Sequence, residues 1–142
     1  MSTSQSTATA IIDAMMSKDM FSQWLGVERV EERAGFCKLR MTVRAEMCNG
    51  FGIAHGGITY SLADSALAFA SNSQGKHAVS IETSISHIKP LQTGDVIIAI
   101  AEEKSRTNKL AIYESRVERE NGELVALFKG TVFRKDTEWT VE

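Results

Sequence analysis

The sequence predicts an α+β fold in which one antiparallel β-sheet curves around one buried helix. Residues 58–72 have the period of a helix and are small and apolar nearly all round, which is typical of a helix in the protein interior. Four strand-like segments follow with short connections, and short connections make neighbouring strands antiparallel. The chain has 142 residues and shows neither a repeat nor a linker, so we expect a single domain over residues 1–142.

The segments before the buried helix are predicted from their apolar spacing. Residues 1–9 are rich in Ser and Thr, and we expect them to be disordered. Two apolar stripes at helical spacing then predict short helices, and Gly26 ends the second. Two strands follow, and the second alternates apolar and polar residues. These elements are helices at 10–16 and 19–25 and strands at 27–32 and 36–43.

The segments after the buried helix predict four strands, at 79–87, 96–101, 110–119 and 124–134. The pair Asn121-Gly122 is a strong hairpin signal between the last two. Long apolar strands such as 96–101 make an exposed sheet edge prone to pairing with another chain. We therefore expect a homodimer or a larger assembly, in which a two-fold axis continues the sheet.

Charge and composition exclude several classes of protein. The chain has 16 Lys and Arg against 18 Asp and Glu, so it lacks the basic excess of nucleic-acid-binding proteins. No uncharged stretch before the strands would span a bilayer, and the N-terminus lacks the pattern of a signal peptide. We therefore expect a cytoplasmic protein without a membrane partner. Cys37, Cys48 and the three histidines lack metal-ligand spacing, so we expect free thiols, no metal and no cofactor.

Asp64 is the first candidate for a catalytic side chain. It is the only formally charged residue between Glu46 and Lys76, and it lies in the middle of the helix predicted to be buried. An ionised carboxylate is costly to bury without partners, so an acid in such a position is often functional. The structural alternative is a helix face that reaches solvent, or an acid hydrogen-bonded to Ser61 or Ser65.

The uncharged, glycine-rich segment 49–57 is the second candidate. It contains Asn49, His55, Gly56 and Gly57 and runs directly into the predicted buried helix. Free N–H groups and the positive dipole end at a helix N-terminus favour an anion, or the oxyanion of an acyl-transfer intermediate. The segment lacks the dinucleotide and P-loop patterns. A loop that only caps the helix accounts for the glycines equally well, and His55 fits either a carbonyl-polarising or a capping role.

The spacing of Gly56 and Asp64 indicates a site made from two chains. The two residues are eight positions apart, which is about 12 Å along a helix. An attacking oxygen must lie within about 3–3.5 Å of the reacting carbonyl. We therefore expect each site to be shared, with Asn49, His55 and Gly56 from one chain and Asp64 from the other.

Positive charge on loops is the third candidate. Lys89 precedes Pro90, and Arg106 and Lys109 flank a polar turn. Such groups can bind phosphate. Ordinary solvated surface is the alternative, because most exposed charges do little.

A longer pattern joins these residues: Asn49-x5-His55-Gly56-Gly57-x4-Leu62-Ala63-Asp64-x-Ala66, followed by Lys89-Pro90-x3-Gly94-Asp95. The pattern resembles the hotdog-fold acyl-CoA thioesterases, and most closely the phenylacetate-degradation (PaaI) type. The resemblance covers nearly the whole chain. It implies an antiparallel sheet wrapped around one long central helix, and homodimers with shared active sites that are commonly doubled to homotetramers.

The resemblance also implies an activity and roles for the candidate residues. The implied reaction is hydrolysis of aryl- or arylacetyl-CoA thioesters, including phenylacetyl-CoA and its ring-hydroxylated forms, to the free acid and CoA in phenylacetate catabolism. Asp64 would be the general base or the nucleophile, and Gly56, with Gly57, would donate N–H to the thioester oxygen. Asn49 and His55 would line the same site. The basic residues Lys89, Arg106 and Lys109 would contact the phosphates of CoA.

Two alternatives stay open from the sequence. One is a hotdog-fold dehydratase of hydroxyacyl thioesters, in which His55 and Asp64 act together, and the other is a non-catalytic acyl-CoA-binding module. Turnover of crotonyl- or 3-hydroxyacyl-CoA would indicate the first, and binding without turnover the second. Some related thioesterases carry Ser or Thr one turn after the helix acid to hold water. This chain has Ala68 there, so the choice between base and nucleophile also stays open.

Overall fold

The structure is a computed structural model that describes residues 5–141. Two helices come first, α1 over Gln5–Met16 and α2 over Met20–Leu25. Two strands, β1 over Glu28–Arg33 and β2 over Phe36–Thr42, lead through a 3-10 turn at Ala45–Met47 to the long helix α3 over Gly56–Asn72. Four strands follow: β3 over Lys76–His87, β4 over Val96–Arg106, β5 over Leu110–Arg119 and β6 over Leu124–Glu138.

The six strands form one antiparallel sheet in the order β1-β2-β4-β5-β6-β3. Helix α3 packs against five of them, β2 to β6, so the sheet curves around it. This arrangement confirms the predicted α+β class, with one antiparallel sheet around one central helix.

The core lies between α3 and the concave face of the sheet. Leu62, Ala66 and Phe69 of α3 are fully buried there. Small side chains let the strands approach the helix closely, and Gly130 of β6 is one such position. A Cβ added at Gly130 would lie 2.6 Å from Leu67 Cδ2, so a larger residue there would force the Leu67 side chain to shift.

Several elements extend beyond their predicted ends. The expected disorder of residues 1–9 is wrong for residues 5–9, which form the first turns of α1. Ala8 is fully buried together with Ile11 and Ile12, and this packing outweighs the weak helix propensity of Ser and Thr. Residues 1–4 lie outside the described residues. Strands β3, β4 and β6 are also longer than predicted, because ladder pairing such as Lys76 with Glu138 does not require apolar alternation.

Strands β1 and β3 are the two edges of the sheet. Within the described part of the chain, β3 pairs with β6 alone. It carries Val79 and Ile81, which are 45% and 59% exposed. An exposed edge strand with apolar side chains favours pairing with another chain.

Candidate active site

Asp64 lies in the middle of α3, next to the short helix α2. Asp19 caps α2 by accepting the N–H of Ser22 at 2.9 Å, and Ser22 Oγ lies 2.8 Å from Ser65 Oγ. This hydrogen-bonded link holds α2 against α3. Asp64 itself is half-buried, whereas its neighbours Ala63 and Ser65 are buried.

The carboxylate of Asp64 has no hydrogen-bond or ion-pair partner among residues 5–141. The hydrogen bond to Ser65 considered above does not form, since Ser65 contacts Ser22 instead. Burial raises the pKa of the Asp64 carboxyl above its ordinary value, and the negative charge of Asp19 raises it further. A carboxylate with a raised pKa is a stronger base.

Asp64 lines a cavity with a volume of about 460 Å³. The cavity lies between α1, α3, β3, β6 and the segment after β6. Its walls include Met15, Leu67, Val79, Val132, His77 and Trp139. A mostly apolar cavity with one carboxylate suits an apolar acyl group whose reacting carbon lies next to the acid.

The glycine-rich loop before α3 is held in place by its own hydrogen bonds. Asn49 Oδ1 accepts the N–H groups of Phe51 at 2.9 Å and Ile53 at 3.2 Å, which folds a tight turn. The backbone N–H of His55 donates to Met47 O at 2.9 Å. The oxygen of Asn49 therefore shapes the loop, and its Nδ2 group is the part of this side chain that a substrate or water can use.

This loop delivers His55, Gly56 and Gly57 to the N-terminus of α3. His55 occupies the N-cap position, and its ring makes no capping hydrogen bond. The N–H groups of Gly56 and Gly57 have no acceptor among the described residues, and both glycines are exposed. Two free N–H groups at the positive end of a 17-residue helix can stabilise an oxyanion.

The acid and the N–H donors lie apart within one chain. His55 and Gly57 line one cavity of about 360 Å³, and Gly56 and Lys89 line another of about 350 Å³. Asp64 contributes to neither of these two cavities. It is about 12 Å from Gly56 along the helix axis. One chain therefore does not bring the two parts of the candidate site to a single carbonyl group.

The three basic candidates lie at opposite ends of β3. Lys89 lies two residues after His87, the last residue of the strand. Lys76, its first residue, donates to Asn108 at 3.3 Å, in the turn that holds Arg106 and Lys109. Twelve residues of strand span about 36–40 Å. Within one chain these cations therefore cannot contact the same phosphate group.

Comparison with known proteins identifies the family. The family model described as thioesterase superfamily matches residues 51–126. The chain belongs to the thioesterase superfamily. This thioesterase is 41% identical to a putative esterase of Archaeoglobus fulgidus over 122 residues, which is 86% of this chain and 79% of that protein. It is 36% identical to the acyl-coenzyme A thioesterase PaaI of Escherichia coli over 121 residues, 85% of this chain and 86% of that protein.

A solved structure shows the same fold. The E. coli PaaI protein from the phenylacetic acid degradation operon matches this thioesterase with a TM-score of 0.92 and 33% identity, over 96% of this chain and 99% of that chain. This likeness confirms the hotdog fold and the resemblance to the PaaI type. The protein is therefore a thioester hydrolase. His55, Gly56 and Asp64 all lie within the segment that the family model matches.

Sequence patterns did not indicate His87 as a neighbour of the candidate site of this thioesterase. His87 is the last residue of β3 and lines the cavity that contains Gly56 and Lys89. A Cβ added to Gly56 would lie 3.0 Å from His87 Nε2. No sequence signal marks this contact, because glycine has no side chain whose chemistry could indicate a partner.

The described part of the chain offers neither a metal site nor a membrane-spanning helix. Residues 5–141 contain no group of three His, Cys, Asp or Glu side chains placed to hold a metal ion, and no helix long and apolar enough to cross a bilayer. Cys37 and Cys48 are both free. Burial raises the pKa of Cys37 to about 12, which keeps it an unreactive thiol.

Proposed function

We propose that this thioesterase hydrolyses arylacetyl-CoA thioesters, phenylacetyl-CoA and its ring-hydroxylated forms, to the free acid and CoA. The proposal is carried by Asp64, a half-buried carboxylate without a partner among the described residues, on the wall of a mostly apolar cavity of about 460 Å³. Similarity to an acyl-coenzyme A thioesterase and to a protein of a phenylacetic acid degradation operon supports CoA as the carrier and phenylacetate catabolism as the pathway. Two free cysteines suit the reducing cytoplasm.

Asp64 acts on the thioester carbonyl in one of two ways. As a general base it takes a proton from water while the water oxygen bonds to the carbonyl carbon. As a nucleophile its own oxygen bonds to that carbon, and water then hydrolyses the mixed anhydride. In both routes the C–S bond breaks, CoA leaves as a thiolate that takes up a proton, and the free acid is released. The raised pKa of Asp64 supports the base route, because the basicity of a carboxylate rises with its pKa.

The first turn of α3 stabilises the charge that develops on the carbonyl oxygen. The free N–H groups of Gly56 and Gly57 donate to this oxygen, and the helix dipole adds a favourable field. In this proposal the exposed His55 and the Nδ2 group of Asn49 orient the thioester or the water. The turn closed by Asn49 holds these groups in position before substrate arrives.

Each site is shared between two protomers in this proposal. An oxyanion donor must lie about 2.7–3.1 Å from the oxygen, and the attacking atom about 3–3.5 Å from the carbon. Gly56 and Asp64 of one helix, about 12 Å apart, cannot both meet these limits. Two α3 helices that run antiparallel across a two-fold axis bring the start of one beside the middle of the other. The exposed Val79 and Ile81 on the edge strand β3 support such a dimer, and two dimers form the homotetramer.

The same two-fold axis joins the separated basic residues. Antiparallel pairing of two β3 strands brings the end of one strand next to the start of the other. Lys89 of one protomer then lies near the turn of its partner that contains Arg106 and Lys109. Together these cations hold the phosphates of CoA.

The first test is thiol release from a panel of CoA thioesters. The panel runs from acetyl-CoA through short-chain acyl- and benzoyl-CoA to phenylacetyl- and hydroxyphenylacetyl-CoA. We expect the highest kcat/KM with the arylacetyl members and a fall in kcat of about 10²–10⁴-fold in Asp64→Asn. Asp13→Asn is the matched control, an aspartate of α1 whose side chain is 63% exposed, and it should leave turnover unchanged. Wild-type rates in Asp64→Asn, or a preference for acetyl-CoA, would contradict the proposal.

Mixing inactive protomers tests the shared site. When Asp64→Ala and Gly56→Pro chains are refolded together in equal amounts, about half of the dimers are heterodimers. Each heterodimer has one intact site out of two, so about a quarter of wild-type activity should return. A second mixture combines wild type with the chain that carries both substitutions. A shared site then leaves about a quarter of the activity, and a site within one chain leaves about half. No recovery in the first mixture and half activity in the second would rule out the shared site.

A further inference from the structure

The cavity that contains Asp64 is bounded on one side by Trp139, in the segment after β6. The indole Nε1–H of Trp139 donates to Asn72 Oδ1 at 2.9 Å, and its backbone N–H donates to Gly75 O at 2.8 Å. The ring of His77 lies against the indole, with 4.7 Å between the ring centroids and a tilt of 39°. Trp139 and His77 both line the cavity, so this wall is aromatic.

A buried amide fixes the position of this aromatic wall. Asn72, at the end of α3, is 5% exposed, and its Nδ2 donates to Ala68 O at 2.9 Å and to Ala78 O at 3.1 Å. Its Oδ1 accepts the N–H of Ala78 at 3.0 Å as well as the indole N–H. His77 Nδ1 lies 2.9 Å from Thr137 Oγ1. The two rings are therefore held in place before substrate arrives, as a selective wall must be.

Asp64 and the aromatic wall lie at different positions along α3. Asp64 and Asn72, which holds the indole, are eight residues apart on this helix, about 12 Å along the axis. Asp64 and Trp139 line the same cavity of about 460 Å³, so the acyl group of a thioester whose carbonyl lies next to Asp64 extends through this cavity toward the indole.

We propose that Trp139, backed by His77, selects aromatic acyl groups by packing its indole against the substrate ring. The inference rests on the proposed thioesterase activity of the same site. The rest of the lining combines apolar side chains such as Leu67 and Val79 with polar ones such as Ser71, and a flat apolar ring makes the largest contact with an aromatic wall. The aromatic ring of the substrate lies away from the bonds that form and break. Its contact with the indole therefore contributes the same free energy in the ground state and in the transition state. It therefore acts on KM rather than on kcat.

The kinetic test compares kcat/KM for the bulkiest aromatic acyl-CoA that the wild-type protein hydrolyses with kcat/KM for acetyl-CoA. In Trp139→Ala we expect this ratio to fall about tenfold through a higher KM for the bulky substrate, with acetyl-CoA turnover within about twofold. Trp139→Phe keeps a ring at the wall and should keep the ratio within about threefold. Phe133→Ala is the matched control, because it removes an aromatic side chain of β6 that does not line the cavity. Equal losses on both substrates in Trp139→Ala, or the same fall in Phe133→Ala, would overturn the inference.

A binding experiment separates this inference from the proposed function. The chain has two tryptophans, so Trp24→Phe leaves Trp139 as the only one. Titration of this variant with phenylacetate should change the fluorescence of Trp139 saturably, and acetate at the same concentrations should not. If phenylacetyl-CoA is hydrolysed while neither the fluorescence nor the substrate ratio responds, the inference fails and the proposed function stands. If phenylacetate changes the fluorescence of Trp139 and no thioester is hydrolysed, the proposed function is refuted and the inference about the aromatic wall is supported.

Discussion

Replacing Gly56 by proline removes one N–H group from the start of α3 and perturbs the backbone little. Proline suits the first position of a helix, because its φ fits and its missing N–H has no partner within the helix. His55 before it has φ −56° and ψ 139°, the extended conformation that a residue before proline requires. The added Cβ would meet Nε2 of His87 at 3.0 Å, and the His87 side chain is exposed and free to shift.

The expected loss is that of a single oxyanion donor. Removing one such donor costs about 10²–10³-fold in kcat, or about 2.7–4 kcal/mol of transition-state stabilisation. Gly57 keeps its N–H in this variant, so we expect a fall of about 10²-fold in kcat for phenylacetyl-CoA. The fall should appear equally in kcat and kcat/KM, because the hydrogen bond strengthens only when charge develops on the oxygen.

Steady-state thiol release from phenylacetyl-CoA measures this loss. Gly56→Ala is the matched control, since it places the same Cβ against His87 and keeps the N–H. Its kcat should stay within about threefold of wild type. Wild-type kcat in Gly56→Pro would refute the oxyanion role of Gly56, and equal losses in both variants would assign the effect to crowding of His87.

The other expectations concern the charge beside the proposed catalytic acid and the packing of α3. Asp19→Asn removes a negative charge that raises the pKa of Asp64, and the asparagine can still cap α2. The acid limb of the kcat/KM–pH profile should therefore move to lower pH. An acid limb at the wild-type pH would contradict the coupling between Asp19 and Asp64. Asp64→Asn should raise the Tm at neutral pH, because an acid with a raised pKa destabilises the folded chain when ionised. This gain should shrink as the pH falls through the pKa of Asp64, and a lower Tm at neutral pH would refute it. Gly130→Ala places a Cβ 2.6 Å from Leu67 Cδ2. Overpacking of about 1–3 kcal/mol should lower the Tm by roughly 3–10 °C, and adding Leu67→Val should restore part of the loss if this contact is the cause.

The order of the elements was predictable because each carries its own apolar period. Helix α3 is apolar nearly all round and the strands alternate, and the structure confirms a sheet around this helix. The element ends were not predictable in the same way. Strands β3 and β6 continue into polar residues such as Lys76 and Glu138, which are held by pairing with each other. Such pairing depends on the neighbouring strand and not on the local sequence.

Asp64 and the glycine-rich loop are candidates from the sequence because a lone charge and clustered glycines are unusual beside a buried helix. Their separation within one chain also followed from the sequence, through the rise of the helix. The contact of His87 with Gly56 arises only when β3 returns past the start of α3. Trp139 reaches the cavity only because β6 pairs with β3 along its whole length. Both are products of the tertiary fold, which local patterns do not encode.

If each site is shared between two protomers as proposed, the eight-residue spacing of Gly56 and Asp64 makes turnover depend on protein concentration. With each site shared, a separated protomer holds an acid and an oxyanion donor that never meet the same thioester. Specific activity then falls once the protein is diluted below the dissociation constant of the dimer. A thioester that touches both protomers shifts the equilibrium back by mass action. At low concentration the protein would therefore have little activity until its substrate accumulates and promotes formation of the dimer.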